Sequence, residues 1–114
     1  MEYTIKNLKD IKLEGTHDLP NSRQTLLTNE ELDSKNFEAF TKGILDPGKV
    51  WDWHNHNDIY EFFIVLKGLG AVEFEDGNRH KYSQGDIVLI KPNYKHRITA
   101  SGDAPSEFLF VRLK

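Results

Sequence analysis

The sequence predicts an all-β fold, an antiparallel sandwich or barrel of jelly-roll type, and three observations carry that prediction. From residue 37 onward, short β-rich runs follow one another: "FEAFTKGIL", "VWDWHNH", "YEFFIVLKG", "GAVEFED", "RHKYS", "DIVLIKP", "HRITAS" and "EFLFVRLK". Gly, Pro, Asn and Asp separate them, and many short, evenly spaced strands are the mark of sandwiches and barrels. Asp76-Gly77, between "AVEFE" and "NRHKY", is a hairpin signal because Gly supplies the positive φ of such turns. Finally, two runs are apolar on both faces. In "YEFFIVL", Glu61, Phe63 and Val65 alternate with Phe62, Ile64 and Leu66; in "DIVLIKP", Ile87 and Leu89 oppose Val88 and Ile90. A strand wet on one side alternates apolar with polar, so both faces of these strands are expected to be covered. One cover is the interior. The other is a second sheet, the N-terminal arm or a second subunit, and the last choice gives a homodimer; burial within a single chain is the alternative.

Taken in order, the elements begin with a polar N-terminal region, residues 1–36, expected to belong to the same single domain as the core at 37–114. "YTIKNLKDIKLE" reads as a strand or an arm. "LTNEELDSKNFEAF" starts like a short helix, with Thr28 as N-cap and Glu31 three residues on, although "NEELDS" equally suits a turn. "FEAFTKGIL" then forms a strand closed by the turn residues Asp46, Pro47 and Gly48.

Composition narrows the chemistry. The 114 residues include no cysteine, which excludes disulfides and thiolate metal sites and fits a cytoplasmic protein. A net charge of −3 with no basic block argues against nucleic acid as a partner. No apolar run approaches the roughly 18 residues of a membrane helix, so no membrane partner is expected.

The five histidines are unevenly spread. His54 and His56 stand at i and i+2, and on a regular strand they point the same way, within reach of one ion. Glu61 opens the next strand after "NDI", where a turn could bring its carboxylate back beside them. His96 opens "HRITAS". Imidazole and carboxylate donors together suit one divalent transition metal, Mn, Fe, Co, Ni, Cu or Zn, rather than Ca or Mg. His80, just past the Asp76-Gly77 turn, and His17, in the polar loop "EGTHDLPNS", read as ordinary surface residues.

Residues 48–68, "GKVWDWHNHNDIYEFFIVLKG", resemble the first motif of the cupin superfamily, with Gly48, His54, His56, Glu61 and Gly68 in the defining positions. Residues 85–96, "GDIVLIKPNYKH", resemble its second motif through Gly85, Asp86, Pro92 and His96. Asn93 stands where the family usually has glycine, and Asn tolerates the left-handed conformation best after Gly. Ala100 stands where an asparagine is usual. The spacing is that of a small, single-domain, RmlC-like cupin. The resemblance implies a jelly-roll-like β-barrel with a metal at one end, held by His54, His56, Glu61 and His96.

Strand parity predicts the surroundings. Trp51 and Trp53 are opposite in parity to the histidines and would face away from them, unless a bulge near "DWHNH" reverses one. Asp52 shares the histidine parity, and Phe63 and Val65 share the side of Glu61; with Tyr94 they are the expected pocket lining, and Phe40, Tyr60 and Phe110 are further candidates without a place. Lys95 and Arg97 flank His96 and point away. Such a lining is largely apolar and favours a small, partly apolar ligand. Three functions fit: a metal-dependent enzyme on a small organic molecule (oxygenase, isomerase, decarboxylase or lyase), a non-catalytic binding or sensor module, and a structural metal site.

Overall fold

The computed structural model describes residues 3–114. Ten strands form two antiparallel sheets. In chain order they are β1 (Glu14–Thr16), β2 (Leu19–Leu27), β3 (Phe37–Leu45), β4 (Val50–His54), β5 (Tyr60–Lys67), β6 (Leu69–Phe74), β7 (Arg79–Tyr82), β8 (Ile87–Ile90), β9 (His96–Ser101) and β10 (Ser106–Leu113). One sheet has the order β1-β2-β3-β10-β5-β8 and the other β4-β9-β6-β7. The two do not close into a continuous barrel, and the fold is jelly-roll-like. Among the described residues no helix is long and apolar enough to cross a membrane.

The short helix expected after Thr28 is a turn. Its capping box does form, with Glu31 N–H donating to Thr28 Oγ1 at 3.2 Å and Thr28 N–H to Glu31 Oε1 at 2.9 Å. Asp33 and Ser34 favour turns over helix interiors, and the chain leaves the helical path there. The one helical piece among the described residues is a single 3₁₀ turn, Leu8–Asp10, in the N-terminal arm.

Inward-facing residues of both sheets build one core: Leu45, Trp51, Phe63, Val65, Val72, Tyr82, Ile90, Ile98, Ala100, Phe108 and Phe110. Its centre is aromatic. Phe108 lies 5.6 Å from Phe63 and 5.3 Å from Tyr82, ring centre to ring centre. The Tyr82 hydroxyl donates to the Thr99 carbonyl at 2.9 Å, so the polar end of this ring costs little to bury.

The outer face of the six-stranded sheet is apolar as well. Its register sets Phe40, Val111, Phe62 and Leu89 in one row across β3, β10, β5 and β8, and Lys42, Leu109, Ile64 and Ile87 in the next. Within the chain Ile87 and Leu89 are 74% and 57% exposed. The expected second cover for these strands is therefore not supplied by the chain's own described residues.

One local irregularity decides the position of the site. In the β4–β9 pair Trp51 faces Ile98 but His54 faces His96, so β4 holds one extra residue between them. This bulge puts Trp51 and His54 on the same, inner side although they are three residues apart. Asp52 and Trp53 lie outside, where the Arg97 guanidinium stacks 4.9 Å above the Trp53 ring.

Candidate metal centre and its cavity

Four side chains converge where β4, β5 and β9 meet. His54 ends β4 and faces His96, the first residue of β9. Glu61 is the second residue of β5, fully buried at 3% exposure. His56 lies beyond the end of β4, in the loop to β5. Strand alternation therefore does not bring it beside His54. The loop does, pinned by Asn93: its N–H donates to the His56 carbonyl at 3.0 Å, and its side-chain oxygen accepts from Asp58 N–H at 3.1 Å. Asn93 has a φ of 68°, the left-handed turn conformation that its side chain tolerates. Where glycine could only turn, asparagine also ties down the loop.

One donor atom from each of His54, His56, Glu61 and His96 lies within 4.8 Å of all the others. His56 Nε2 is 3.1 Å from one Glu61 oxygen and His96 Nε2 is 3.3 Å from the other. Neither nitrogen makes a hydrogen bond among the described residues, although both are buried. Native structures rarely leave buried polar atoms so. Two orphaned nitrogens flanking one carboxylate fit a cation that takes all three as ligands. The His54 ring supports the same geometry: its Nδ1 lies 2.6 Å from the Asp52 carbonyl oxygen. The N–H donated there leaves Nε2 as the free donor, an outer-shell arrangement common at metal-binding histidines. His96 Nδ1 is held more loosely by the Tyr94 carbonyl, at 3.3 Å.

Electrostatics agree with the geometry. Burial lowers the pKa of His54 from 6.5 to about 4, which keeps the ring neutral and available as a donor at neutral pH. Burial pushes the Glu61 carboxyl up, but the two imidazoles beside it outweigh that and hold it well below the usual carboxylate range. The cluster can hold a metal ion.

Above the cluster lies a small cavity. The space open to the centre of a water-sized sphere is about 40 Å³, room for roughly three waters. Its lining corrects the sequence expectation. None of Asp52, Phe63, Val65 and Tyr94 borders it. Asp52 points to solvent outside the bulge, with a side chain 73% exposed. Phe63 and Val65 do share the side of Glu61, but each step of two residues carries them roughly 7 Å deeper, into the core. Tyr94 packs near Phe74, 6.3 Å between ring centres. The lining comes from elsewhere: Trp51, Ile98 and Phe110 as apolar walls, Thr41 and Gly43 from β3, Thr16, His17, Ser22 and Arg23 from the β1–β2 hairpin, and Arg112 from β10. It is mixed: these apolar walls share it with polar and cationic side chains that the sequence reading did not place there. Trp51 faces in, and its buried indole N–H has no partner among the described residues.

Two of these residues are notable omissions from the sequence reading. Arg112 continues the inward face of Phe108 and Phe110 and sits opposite Glu61 in the β5–β10 register, 3.5 Å from its carboxylate. A charged residue prolonging an apolar alternation was the available signal. His17 is exposed in a turn, as expected, but its ring lies 4.6 Å from that of His54 and 6.4 Å from that of Trp51. His80 is exposed, as expected, and bonds to Asp86 at 2.8 Å.

A family model described as a cupin domain matches residues 42–112. Among curated proteins, the chain is 28% identical over 86 residues to an oxalate-binding protein of Thermotoga maritima, covering 75% of this chain and 69% of that one. It is 38% identical over 47 residues to the uncharacterized protein YdbB of Bacillus subtilis, covering 41% of this chain and 42% of that one, so the chain spans less than half of that relative. Among solved structures, a predicted oxalate decarboxylase of Thermotoga maritima superposes with a TM-score of 0.74 at 25% identity, covering 80% of this chain and 77% of that one.

Proposed function

The chain belongs to the cupin domain family, and from that premise we propose that it is a metal-dependent protein acting on a small organic acid, with His54, His56, Glu61 and His96 as the ligands of one divalent transition metal. The observation that carries the carboxylate is the charge of the cavity. Arg23 and Arg112 border it, and among the described residues Glu61 is its sole acidic one. A divalent ion less the charge of Glu61 leaves a net positive centre, and the Arg112 guanidinium adds to it, whereas the charge of Arg23 is balanced by Glu14 at 3.2 Å. The unpartnered Trp51 N–H is a further donor waiting for an acceptor. The enclosed part of the cavity is small, about 40 Å³, and suits a ligand group of few atoms. A bound metal would supply a Lewis acid that neutralises carboxylate charge. Arg112 and Arg23 would orient the acid, and Trp51, Ile98 and Phe110 would keep water from its carbon atoms. The Thermotoga maritima relatives named for oxalate binding and oxalate decarboxylation support a dicarboxylate of that size.

A binding protein without turnover is the second reading. One observation favours it: among the described residues the only carboxyl group bordering the cavity is Glu61, which is committed to the cluster, so none of them offers a free carboxylic acid to move a proton. The experiment that separates the two loads the protein with Mn(II), Co(II) or Zn(II), measures oxalate, malonate and acetate binding by calorimetry, and follows each bound acid for products. Binding with product supports the enzyme, and binding without product supports the second reading. No binding of any of the acids removes both.

We also infer a homodimer through the outer face of the six-stranded sheet. Its apolar rows are covered by nothing among the described residues. Glu107 is paired with both Lys42 and Lys67, at 2.7 and 2.8 Å, so the three leave one excess positive charge. A second copy of the same face would therefore meet a mainly apolar surface with little net charge. The absence of cysteine is consistent with a cytoplasmic location.

A further inference from the structure

We propose that His17, at the tip of the β1–β2 hairpin, is the residue that selects the ligand of this cavity, contacting the acid at the end remote from the metal. The inference rests on the carboxylate reading above and adds a residue outside the metal-binding cluster. Four observations support it.

The first is position. His17 borders the cavity, and its ring lies across the opening between His54 and Trp51. Yet it is not one of the four residues whose donor atoms converge. It stands near the centre without belonging to the cluster, where a ligand-contacting group must stand.

The second is the backbone. Thr16 pairs with Leu19, so His17 and Asp18 are the two central residues of a tight hairpin, with φ of 52° and 62°. Two successive positive φ values define the turn type that glycine and asparagine normally fill. A histidine there occupies a sparsely populated conformation, and such residues cluster at ligand contacts and switch regions.

The third is rigidity. Ser22, 3% exposed, accepts a hydrogen bond from Thr16 N–H at 3.2 Å and donates to the Leu19 carbonyl at 2.9 Å. The backbone of the tip is thereby clamped from below, which fixes where the His17 side chain leaves the chain at the edge of the cavity.

The fourth is origin. The family model begins at residue 42, so Thr16, His17, Ser22 and Arg23 reach the cavity from outside the matched region. The cluster lies within the matched region, whereas this wall comes from the N-terminal hairpin outside it. An imidazole offers one donor and one acceptor, and beside Arg23 it suits the second carboxylate of a short diacid better than the methyl group of acetate.

The test uses the full chain loaded with Co(II), whose absorption spectrum reports the ligand set directly. His17→Gly accepts positive φ and deletes the ring; His17→Asn accepts it and keeps a polar group. Oxalate and acetate are titrated into each. His17→Gly should weaken oxalate roughly tenfold, the size of one hydrogen bond to a charged group. Acetate should change by less than about twofold, so the oxalate-to-acetate ratio collapses. His17→Asn should fall between. Co(II) affinity and spectrum should match the unmodified protein. Unchanged oxalate binding in His17→Gly overturns the inference and leaves the carboxylate reading standing. A changed Co(II) spectrum also overturns it, because His17 would then be part of the metal site. If the unmodified protein binds neither acid, the carboxylate reading falls and this inference falls with it.

Discussion

Gly43→Ala is the sharpest test of the inward position of Trp51. Gly43 is an inward-facing residue of β3, between the buried Thr41 and Leu45. A Cβ built there would lie 2.6 Å from Cε2 of Phe110 and 2.7 Å from Cη2 of Trp51. Each ring edge would have to retreat by roughly 0.7–0.8 Å to reach ordinary contact at 3.4 Å. Neither ring has free space: Trp51 is 4% exposed and Phe110 8%, and their centres lie 5.6 Å apart, edge to face. Overpacking of this kind costs about 1–3 kcal/mol. Alanine regains about 0.5–1 kcal/mol over glycine in a strand, so the net loss is at most about 2.5 kcal/mol, and about 1–2 kcal/mol where both rings must move. For a domain of this size that lowers the thermal midpoint by about 4–10 °C. Differential scanning calorimetry and urea unfolding of Gly43→Ala measure it. The same substitution in a Trp51→Leu background should cost less, because one of the two obstructing rings is gone, and the cycle should show a coupling of about 0.5–3 kcal/mol. A midpoint within a degree or two of the unmodified protein, with no coupling, would refute the reasoning: the indole would then lie outside, β4 would be regular, and the cavity wall described above would not exist.

The remaining predictions concern the cluster and the outer face. His96→Ala removes a donor that is completely buried, and metal content by elemental analysis should fall from about one ion per chain to near zero; Glu61→Gln should weaken the metal by more than the roughly 10–100-fold that loss of an outer-shell partner costs. The metal-free protein should lose stability on acidification, chiefly through His54 and with a further contribution of the same sign from His17, whose pKa burial also lowers. His54 titrates in the unfolded chain near 6.5 but in the folded chain only at about 4. Between those values the unfolded state holds more protons, so stability is fully present above about 6.5 and falls as pH drops toward 4. Urea midpoints across that range check it, and His54→Gln should flatten the profile. On the outer face, Ile87→Lys with Leu89→Glu should convert a dimer to a monomer in sedimentation analysis with the thermal midpoint of the barrel core little changed; an unmodified protein that sediments as a monomer at high concentration refutes the interface.

Much of the fold was open to reading because its signals are local. Asp46-Pro47-Gly48 and Asp76-Gly77 end strands by their own backbone preferences, whatever the rest of the chain does. Of the cluster, His54, His56 and Glu61 were legible from spacing and ligand chemistry and His96 joined them through the resemblance to the second cupin motif, but the physical reason given for the first pair was wrong. His56 lies past the end of β4 and reaches His54 through a loop tied by Asn93, not through strand alternation. Parity failed again at Trp51, because a bulge reverses every inward-outward assignment on one side of it, and nothing in "VWDWHNH" fixes where the extra residue falls. Phe63 and Val65 show the third limit. Alternation tells which side a residue faces and not how deep along the strand it lies, and depth separates a core residue from a cavity wall.

His17 was out of reach for a different reason. "EGTHDLP" announces a turn, but only pairing of β2 with β3 carries that turn to the mouth of the cavity. The placement is a long-range consequence of sheet order, and it has an energetic logic. β4, β5 and β9 hold the cluster inside the sheets, where a changed residue disturbs the core. The β1–β2 hairpin lies at the edge of the six-stranded sheet, and its tip can change identity without unpacking anything buried except the Ser22 clamp. On the proposed reading, chelation and selection of the acid fall on separate pieces of chain. A variant that alters selectivity at His17 should accordingly keep both its metal and its thermal midpoint, whereas no substitution at His96 can alter selectivity without first losing the ion.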